Sequence, residues 1–123
     1  MPLVCAIDDD ESLRESLDWL LRSAGFDVRT FPTPNDFLQW SANNHPDCII
    51  VDFSMDGMNG LEFLRELRTR GIEAPVIFAT GIGYGEVWRQ LRSSGALAVF
   101  VKPLDADALL EAVQAAVSGT GPP

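Results

Sequence analysis

Apolar side chains are grouped in short runs along the chain. Several of these runs are rich in β-branched residues and contain no polar residue, which is typical of strands that are covered on both faces of a sheet. The runs have the length of strands and are separated by longer amphipathic segments. They lie at Leu3 to Ile7, Val28 to Phe31, Cys48 to Val51, Val76 to Ala79 and Ala98 to Val101.

The segments between these runs have the spacing of amphipathic helices. Their apolar faces comprise Leu13, Leu17, Leu20, Leu21 and Ala24 in the first helix, Leu61, Leu64 and Leu67 in the third, and Val87 and Leu91 in the fourth. The predicted helix ends carry glycines at 25, 71 and 95, which favour left-handed C-terminal caps. Thr33 with Pro34, and Asp105, are typical of helix starts.

Strand and helix therefore alternate about five times. Repeated βα units predict an α/β fold, a doubly wound five-stranded parallel sheet with helices on both faces. We expect a single domain over residues 1–117, because 123 residues suffice for one hydrophobic core. Residues 118–123, with the sequence SGTGPP, are interpreted as a C-terminal tail or the start of a linker.

Composition narrows the function classes. The formal net charge is −9 with only 9 Lys and Arg residues, which argues against direct binding of nucleic acid. No apolar run approaches the roughly 20 residues that span a bilayer, and the first residues lack a secretory signal, so we expect a cytoplasmic protein without membrane contact.

Cys5 and Cys48 lie in apolar runs and are expected to be small buried hydrophobic residues. His45 is interpreted as a loop residue.

Polar residues follow four of the five strands, at the ends where ligands bind in doubly wound sheets. We expect these side chains to converge on one crevice. They are Asp8, Asp9 and Asp10 after the first strand, Asp52 after the third, Thr80 after the fourth and Lys102 after the fifth.

Carboxylates gathered in one crevice repel each other and need a positive partner. Lys102 supplies one charge, and a ligand set of oxygens without His or thiolate favours Mg²⁺. Asp52 stands alone at the end of its strand and is the expected nucleophile for phosphoryl transfer, with Thr80 and Lys102 binding phosphoryl oxygens. The alternative for any single Asp is a helix cap or turn, and Asp10 in particular fits that role.

In order and spacing these residues resemble the receiver domain of two-component response regulators, from Val4 to about Val117. Residues 4–11, VCAIDDDE, are similar to the family's first strand with its acidic pair. Residues 49–52, IIVD, are similar to the strand that carries the phosphoacceptor. Ala79-Thr80-Gly81 and Lys102-Pro103 match the family's switch hydroxyl and lysine.

The resemblance implies a flavodoxin-like strand order, 2-1-3-4-5, and a phosphorelay function in signal transduction rather than an enzyme acting on other molecules. It implies that Mg²⁺ is held by Asp8, Asp9, Asp52 and the backbone carbonyl of Ser54, and that the Lys102-Pro103 bond is cis. It implies a sensor histidine kinase or phosphotransfer protein as phosphodonor. Phosphorylation is expected to switch the partner-binding surface formed by the fourth helix, fifth strand and fifth helix. The partner that binds there would be an effector domain, a downstream protein or a second copy of the chain in a homodimer.

Three departures from the family pattern stand out. Asp56 occupies a position where proline is common. Val99 stands three residues before Lys102, where many relatives carry Tyr or Phe, so the aromatic rotamer switch is expected to be missing; Phe100 points to the opposite face of a strand. The stretch 80–85, TGIGYG, is rich in glycine and is expected to make the loop before the fourth helix mobile.

Two other functions remain open from the residues alone. An aspartyl-phosphate phosphatase also places Asp at a strand end, but its usual second Asp is replaced here by Ser54. A pseudo-receiver would keep the fold as a docking module without phosphorylation, and Val99 and Asp56 are compatible with it. Trp19 lies off the apolar stripe of its helix and Trp88 begins the fourth; we expect partly covered aromatics, with a partner surface as the alternative.

Overall fold

A computed structural model describes residues 1–55 and 57–119 and contains the predicted alternation of strand and helix. The fold begins with a strand and ends with a helix, and each strand is followed by a helix. The elements are β1 Leu3–Ile7, α1 Glu11–Ser23, β2 Asp27–Phe31, α2 Pro34–Ser41, β3 Cys48–Asp52, α3 Gly60–Thr69, β4 Val76–Thr80, α4 Gly85–Arg92, β5 Ala98–Val101 and α5 Ala106–Ser118.

The five strands form one sheet in the order β2-β1-β3-β4-β5, and every neighbouring pair is parallel. This confirms the predicted fold class and order. The order places β1 beside β3, with Ile7 opposite Val51. Because parallel strands end at the same edge, the residues that follow Ile7 and Val51 lie side by side.

The core consists of two apolar layers, one on each face of the sheet, because successive strand residues point to opposite faces. Cys5 and Ile7 pack with the buried residues of α2, α3 and α4, among them Phe37 and Phe63. Val4 and Ala6 pack in the other layer, with the buried residues of α1 and α5. The sheet is therefore covered on both sides, as the uninterrupted apolar runs predicted.

Most predicted helix ends are confirmed. The Oγ1 of Thr33 accepts a hydrogen bond from the backbone N–H of Asp36, and Pro34 is the first residue of α2. Asp105 caps α5 by accepting from the N–H of Ala108. The glycines at 25, 71 and 95 all have positive φ, at 96°, 77° and 93°.

Some details differ from the sequence prediction. Ala24 is exposed and lies just past the end of α1, so it does not extend the buried stripe. Phe63 is fully buried in α3 although leucine spacing alone had defined that helix face. Helix α4 begins at Gly85, three residues before Trp88. The predicted strand ends are otherwise within one residue of those observed.

Cys5 and Cys48 are free, fully buried thiols, as expected. They belong to different apolar layers, so the sheet lies between them. Burial is the largest cause that raises the pKa of each thiol to about 12. His45 is exposed in a loop, also as expected.

At the C-terminus, α5 continues to Ser118 and Gly119 caps it with a φ of 71°. The proposed tail 118–123 therefore begins on the last helical residue, and residues 120–123 lie outside the described part of the chain. The boundary between domain and tail stays a prediction. Among the described residues, no helix is both long and apolar enough to cross a bilayer.

Candidate functional site

Three carboxylates meet at the edge of the sheet where the strands end. Asp8 directly follows β1, Asp52 is the last residue of β3, and Asp9 is the next residue after Asp8. One oxygen from each carboxylate lies within 4.8 Å of the others. Asp8 and Asp52 are buried, at 3% and 6% exposure, whereas Asp9 is exposed. We call these three residues the acidic cluster.

Lys102 bridges the two buried members of the acidic cluster. Its Nζ donates a hydrogen bond of 3.0 Å to Oδ2 of Asp8 and lies 3.4 Å from Oδ2 of Asp52. The backbone N–H of Lys102 donates to the carbonyl of Thr80 at 2.8 Å, which ties the end of β5 to the end of β4. The Lys102-Pro103 peptide bond is cis, as the resemblance implied.

The titration of Asp52 reflects these surroundings. Burial raises its pKa above the ordinary value, and the neighbouring Asp8 carboxylate raises it further. Lys102 and the backbone N–H of Ser54 act in the opposite direction but do not cancel the effect. Burial lowers the pKa of Lys102, yet the hydrogen bond to Asp8 and the attraction of Asp52 outweigh it, so the net direction is upward.

Asp8 is held by three hydrogen bonds besides its place at the end of β1. Its Oδ1 accepts from the backbone N–H of Asp10 at 2.9 Å, and its Oδ2 accepts from Lys102. Its backbone carbonyl accepts a bond of 2.7 Å from the guanidinium of Arg14 in α1. Sequence reasoning missed Arg14, because an arginine one turn inside an amphipathic helix is usually a solvated residue.

Asp10 has a different task from its two neighbours. Its Oδ1 accepts from the backbone N–H groups of Ser12 and Leu13, at 2.9 Å and 3.3 Å, and so caps α1. The capping alternative considered for Asp10 is thus confirmed.

Thr80 and Ser54 flank the acidic cluster. Thr80 is 4% exposed, and its Oγ1 accepts from the N–H of Ile82 at 3.2 Å and lies within donating distance of that residue's carbonyl, at 3.4 Å. The N–H of Ser54 donates to Oδ1 of Asp52 at 3.3 Å. The role assigned to the Ser54 carbonyl stays a prediction. Asp56, singled out in the sequence, lies outside the described residues.

The position of the expected aromatic switch is filled by Val99, which packs against the layer that contains Leu91 of α4. Phe100 packs in the opposite layer with Leu109. The prediction that Phe100 cannot replace an aromatic at position 99 is therefore confirmed.

An apolar groove runs from the site along α1. The residues that line it include Leu13 and Leu20 of α1, Leu104 and Leu109 from the C-terminal part of the chain, and Lys102. Trp19 borders this groove with 72% of its surface exposed, so the expectation of a partly covered aromatic is wrong for Trp19. It is correct for Trp88, which is half-buried and carries the guanidinium of Arg92 at 5.6 Å from the ring centre.

The acidic cluster fits a magnesium ion by its chemistry. Its ligands are all carboxylate oxygens, and hard divalent cations prefer oxygen ligands. One member is exposed, which leaves room for the water molecules that Mg²⁺ retains. The same edge of the sheet also carries a lysine and a hydroxyl, which can bind anionic oxygens.

Comparison with protein families matches residues 4–114 to the response regulator receiver domain. Among curated relatives, the transcriptional regulatory protein TdiR of Thauera aromatica is 36% identical over 94% of this chain and 51% of its own length. The transcriptional regulatory protein FixJ of Azorhizobium caulinodans is 38% identical over 93% of this chain and 54% of its own. The chain thus spans about half the length of these relatives.

Solved structures agree with the family match. The response regulator protein TrrA from Thermotoga maritima, solved in complex with Mg²⁺-BeF, superposes with a TM-score of 0.82. It is 28% identical, and the match covers 94% of this chain and 99% of that one. The similarity therefore extends over nearly the whole chain.

Proposed function

The chain belongs to the response regulator receiver domain family, and we propose that it accepts a phosphoryl group on Asp52 in a Mg²⁺-dependent reaction. It is thus a signalling domain of a two-component system. The observation that supports Asp52 as acceptor is its position, buried at the end of β3 and 3.4 Å from the ammonium of Lys102.

Asp52 is suited to nucleophilic attack on phosphorus. A carboxylate oxygen of Asp52 forms the new O–P bond, the N–P bond of a phosphohistidine donor breaks, and its electron pair stays on the departing imidazole nitrogen, which takes up a proton. Bound Mg²⁺ would neutralise charge on the phosphoryl oxygens. Asp8, Asp9, Asp52 and the carbonyl of Ser54 would hold the ion.

Lys102 and Thr80 would bind the oxygens of the transferred group. Lys102 is already shared between Asp8 and Asp52, so its ammonium can turn to a phosphoryl oxygen while it keeps the bond to Asp8. Thr80 is occupied by the backbone of Ile82 and must exchange that contact to donate to the phosphoryl group. Phosphorylation would thereby change the contacts of the loop that follows β4.

Receiver domains interact with kinases and effector domains, and we propose a sensor histidine kinase or a phosphotransfer protein as the donor. The output would be an effector domain, a downstream protein or a phosphorylation-induced homodimer that uses the surface of α4, β5 and α5. A cytoplasmic location stays a prediction. The phosphatase alternative has no support, because Ser54 stands where that chemistry needs a second Asp.

Incubation of the protein with Mg²⁺ and a small acyl phosphate tests the proposal. Intact mass measurement is expected to show one added phosphoryl group, lost on chelation of the metal and absent in Asp52→Asn. Asp10→Asn is the matched control, because Asn caps a helix about as well as Asp and the acceptor is retained. Labelling of Asp52→Asn would contradict the proposal, and so would a native protein that is not labelled. A native protein that binds a kinase but is not labelled would favour a pseudo-receiver.

A further inference from the structure

Arg14, which is not part of the acidic cluster, donates a hydrogen bond to the backbone carbonyl of Asp8. We propose that Arg14 is a positioning residue that fixes the turn carrying Asp8 and Asp9 and so raises the affinity of the acidic cluster for Mg²⁺. The inference rests on the proposed function, since it assumes that the cluster binds Mg²⁺.

Asp8 is the first residue after β1. Its backbone N–H still donates to the carbonyl of Phe31 in β2, at 3.1 Å. Its carbonyl has passed the end of the ladder and accepts instead from Nη1 of Arg14, at 2.7 Å. A guanidinium donor makes this bond shorter and stronger than one between neutral groups, and Arg stays charged at any physiological pH.

The bond to the Asp8 carbonyl acts on Asp9 through the peptide plane. The carbonyl of Asp8 and the N–H of Asp9 belong to one planar unit, so fixing the carbonyl fixes the direction in which the chain continues. The N–H of Asp10 is held in turn by Oδ1 of Asp8. Asp9 lies between these two tied points and is exposed, so the backbone sets where its carboxylate stands.

Preorganisation of this kind affects metal binding more than folding. Three carboxylates within 4.8 Å repel one another, and a loose turn would let Asp9 move away from Asp8 and Asp52. The ion would then have to pull Asp9 back at the cost of binding free energy. Outer residues that hold metal ligands commonly change metal affinity by about 10- to 100-fold when removed.

Arg22 offers a matched control in the same helix. Its Nη2 donates to the carbonyl of Val28 in β2 at 2.8 Å, which is the same kind of contact from helix to strand. It also pairs with Asp18, at 2.8 Å. Arg22 lies in the last turn of α1, away from the acidic cluster at its first turn. Removing Arg22 should therefore loosen α1 at least as much as removing Arg14, without affecting the cluster.

The experiment compares Arg14→Met, Arg14→Lys and Arg22→Met in the full chain. The melting temperature is measured in chelator and then over a series of Mg²⁺ concentrations, and the Mg²⁺ dissociation constant is obtained from the rise in stability. In chelator, Arg14→Met and Arg22→Met should lose similar stability. The Mg²⁺ dissociation constant should rise about tenfold in Arg14→Met, rise less in Arg14→Lys, and stay within about twofold of the native value in Arg22→Met.

The outcomes separate this inference from the proposed function. If the native protein gains no stability from Mg²⁺, the proposed metal dependence fails. If the native protein binds Mg²⁺ and Arg14→Met binds it equally well, the positioning role is overturned. Equal weakening in Arg14→Met and Arg22→Met overturns it too, because a loosened α1 would explain both. If Arg14→Met does not fold, Arg14→Lys decides, and an unchanged dissociation constant there counts against the role.

Discussion

At the scale of single residues, the site buries two carboxylates whose negative charges would be unfavourable without the positive charge of a nearby lysine. Asp8 and Asp52 are buried beside each other and share one ammonium, that of Lys102. Burial is the largest cause that raises the pKa of Asp52, and the neighbouring Asp8 carboxylate, which shares the same ammonium, raises it further.

The raised pKa of Asp52 predicts that ionising this residue lowers stability. The native state binds the Asp52 proton more tightly than the unfolded chain, so stability is lost as the pH rises from about 4 through the native pKa. Asp52→Asn removes this cost, and we expect its free energy of unfolding to exceed that of the native protein at neutral pH. Urea unfolding in chelator checks this, with the difference expected to vanish near pH 3.

The exposed cap Asp10 supplies the control for that measurement. Asp10→Asn keeps the cap of α1 and should not stabilise the protein at neutral pH. An Asp52→Asn protein that is less stable than the native one at neutral pH would show that the contacts of Asp52 with Lys102 and Ser54 outweigh the cost of burying its charge beside Asp8.

Much of the acidic cluster could be predicted from the sequence, because strand ends in a parallel sheet meet at one edge. Asp8, Asp9 and Asp52 follow apolar runs directly, so their convergence follows from topology alone. Arg14 could not be predicted in the same way. Its contact depends on how far α1 leans over the end of β1, and no spacing in the sequence encodes that angle.

At the scale of elements, the loop between β4 and α4 carries a specific steric constraint. The sequence suggested that its glycines confer mobility, since glycine lowers helix propensity. That mobility stays a prediction, whereas the structure shows two specific roles for these glycines. Gly85 has a φ of 86°, which other residues rarely adopt, and Gly83 passes so close to β5 that a Cβ there would stand 2.5 Å from Cγ2 of Val101.

Gly83→Ala is therefore expected to lower the free energy of unfolding by about 1–3 kcal/mol, because the loop and Val101 must move apart. Gly81→Ala in the same loop is the matched control, since a Cβ at Gly81 meets nothing within 4 Å. Urea unfolding of both variants gives the comparison.

Val101→Ala provides the second half of the test. Combined with Gly83→Ala, it should restore much of the lost stability, because the shortened side chain removes the atom that clashes. Equal losses in Gly81→Ala and Gly83→Ala would attribute the effect to glycine content rather than to contact with β5.

At the scale of the whole molecule, the sheet divides the core into two layers that do not share side chains. The layer with α2, α3 and α4 is rich in aromatic residues, including Phe31, Phe37 and Phe63 with ring centres 5.5 to 5.7 Å apart. The layer with α1 and α5 is mainly aliphatic. The sequence predicted that both faces are covered, but it did not show which helices share a face, because that depends on the strand order.

The two thiols report on the two layers separately. Cys5 and Cys48 are fully buried on opposite faces, and burial raises the pKa of both to about 12, so neither should react with a thiol reagent in the native state. We expect both to be labelled slowly, at one common rate that rises with urea as the whole domain opens. Mass spectrometry of single variants Cys5→Ala and Cys48→Ala measures each rate, and clearly different rates would show that one layer opens alone.

The run of three aspartates between β1 and α1 has a consequence for how this domain tolerates changes in length. The side chains are chemically identical, yet Asp8 pairs with Lys102, Asp9 completes the acidic cluster and Asp10 caps the helix. Loss or gain of one residue in this run would also turn the stripe of Leu17 and Leu21 by about 100° around the helix axis. We therefore expect that the domain does not tolerate insertions or deletions in this run, even where they leave the number of acidic residues nearly unchanged.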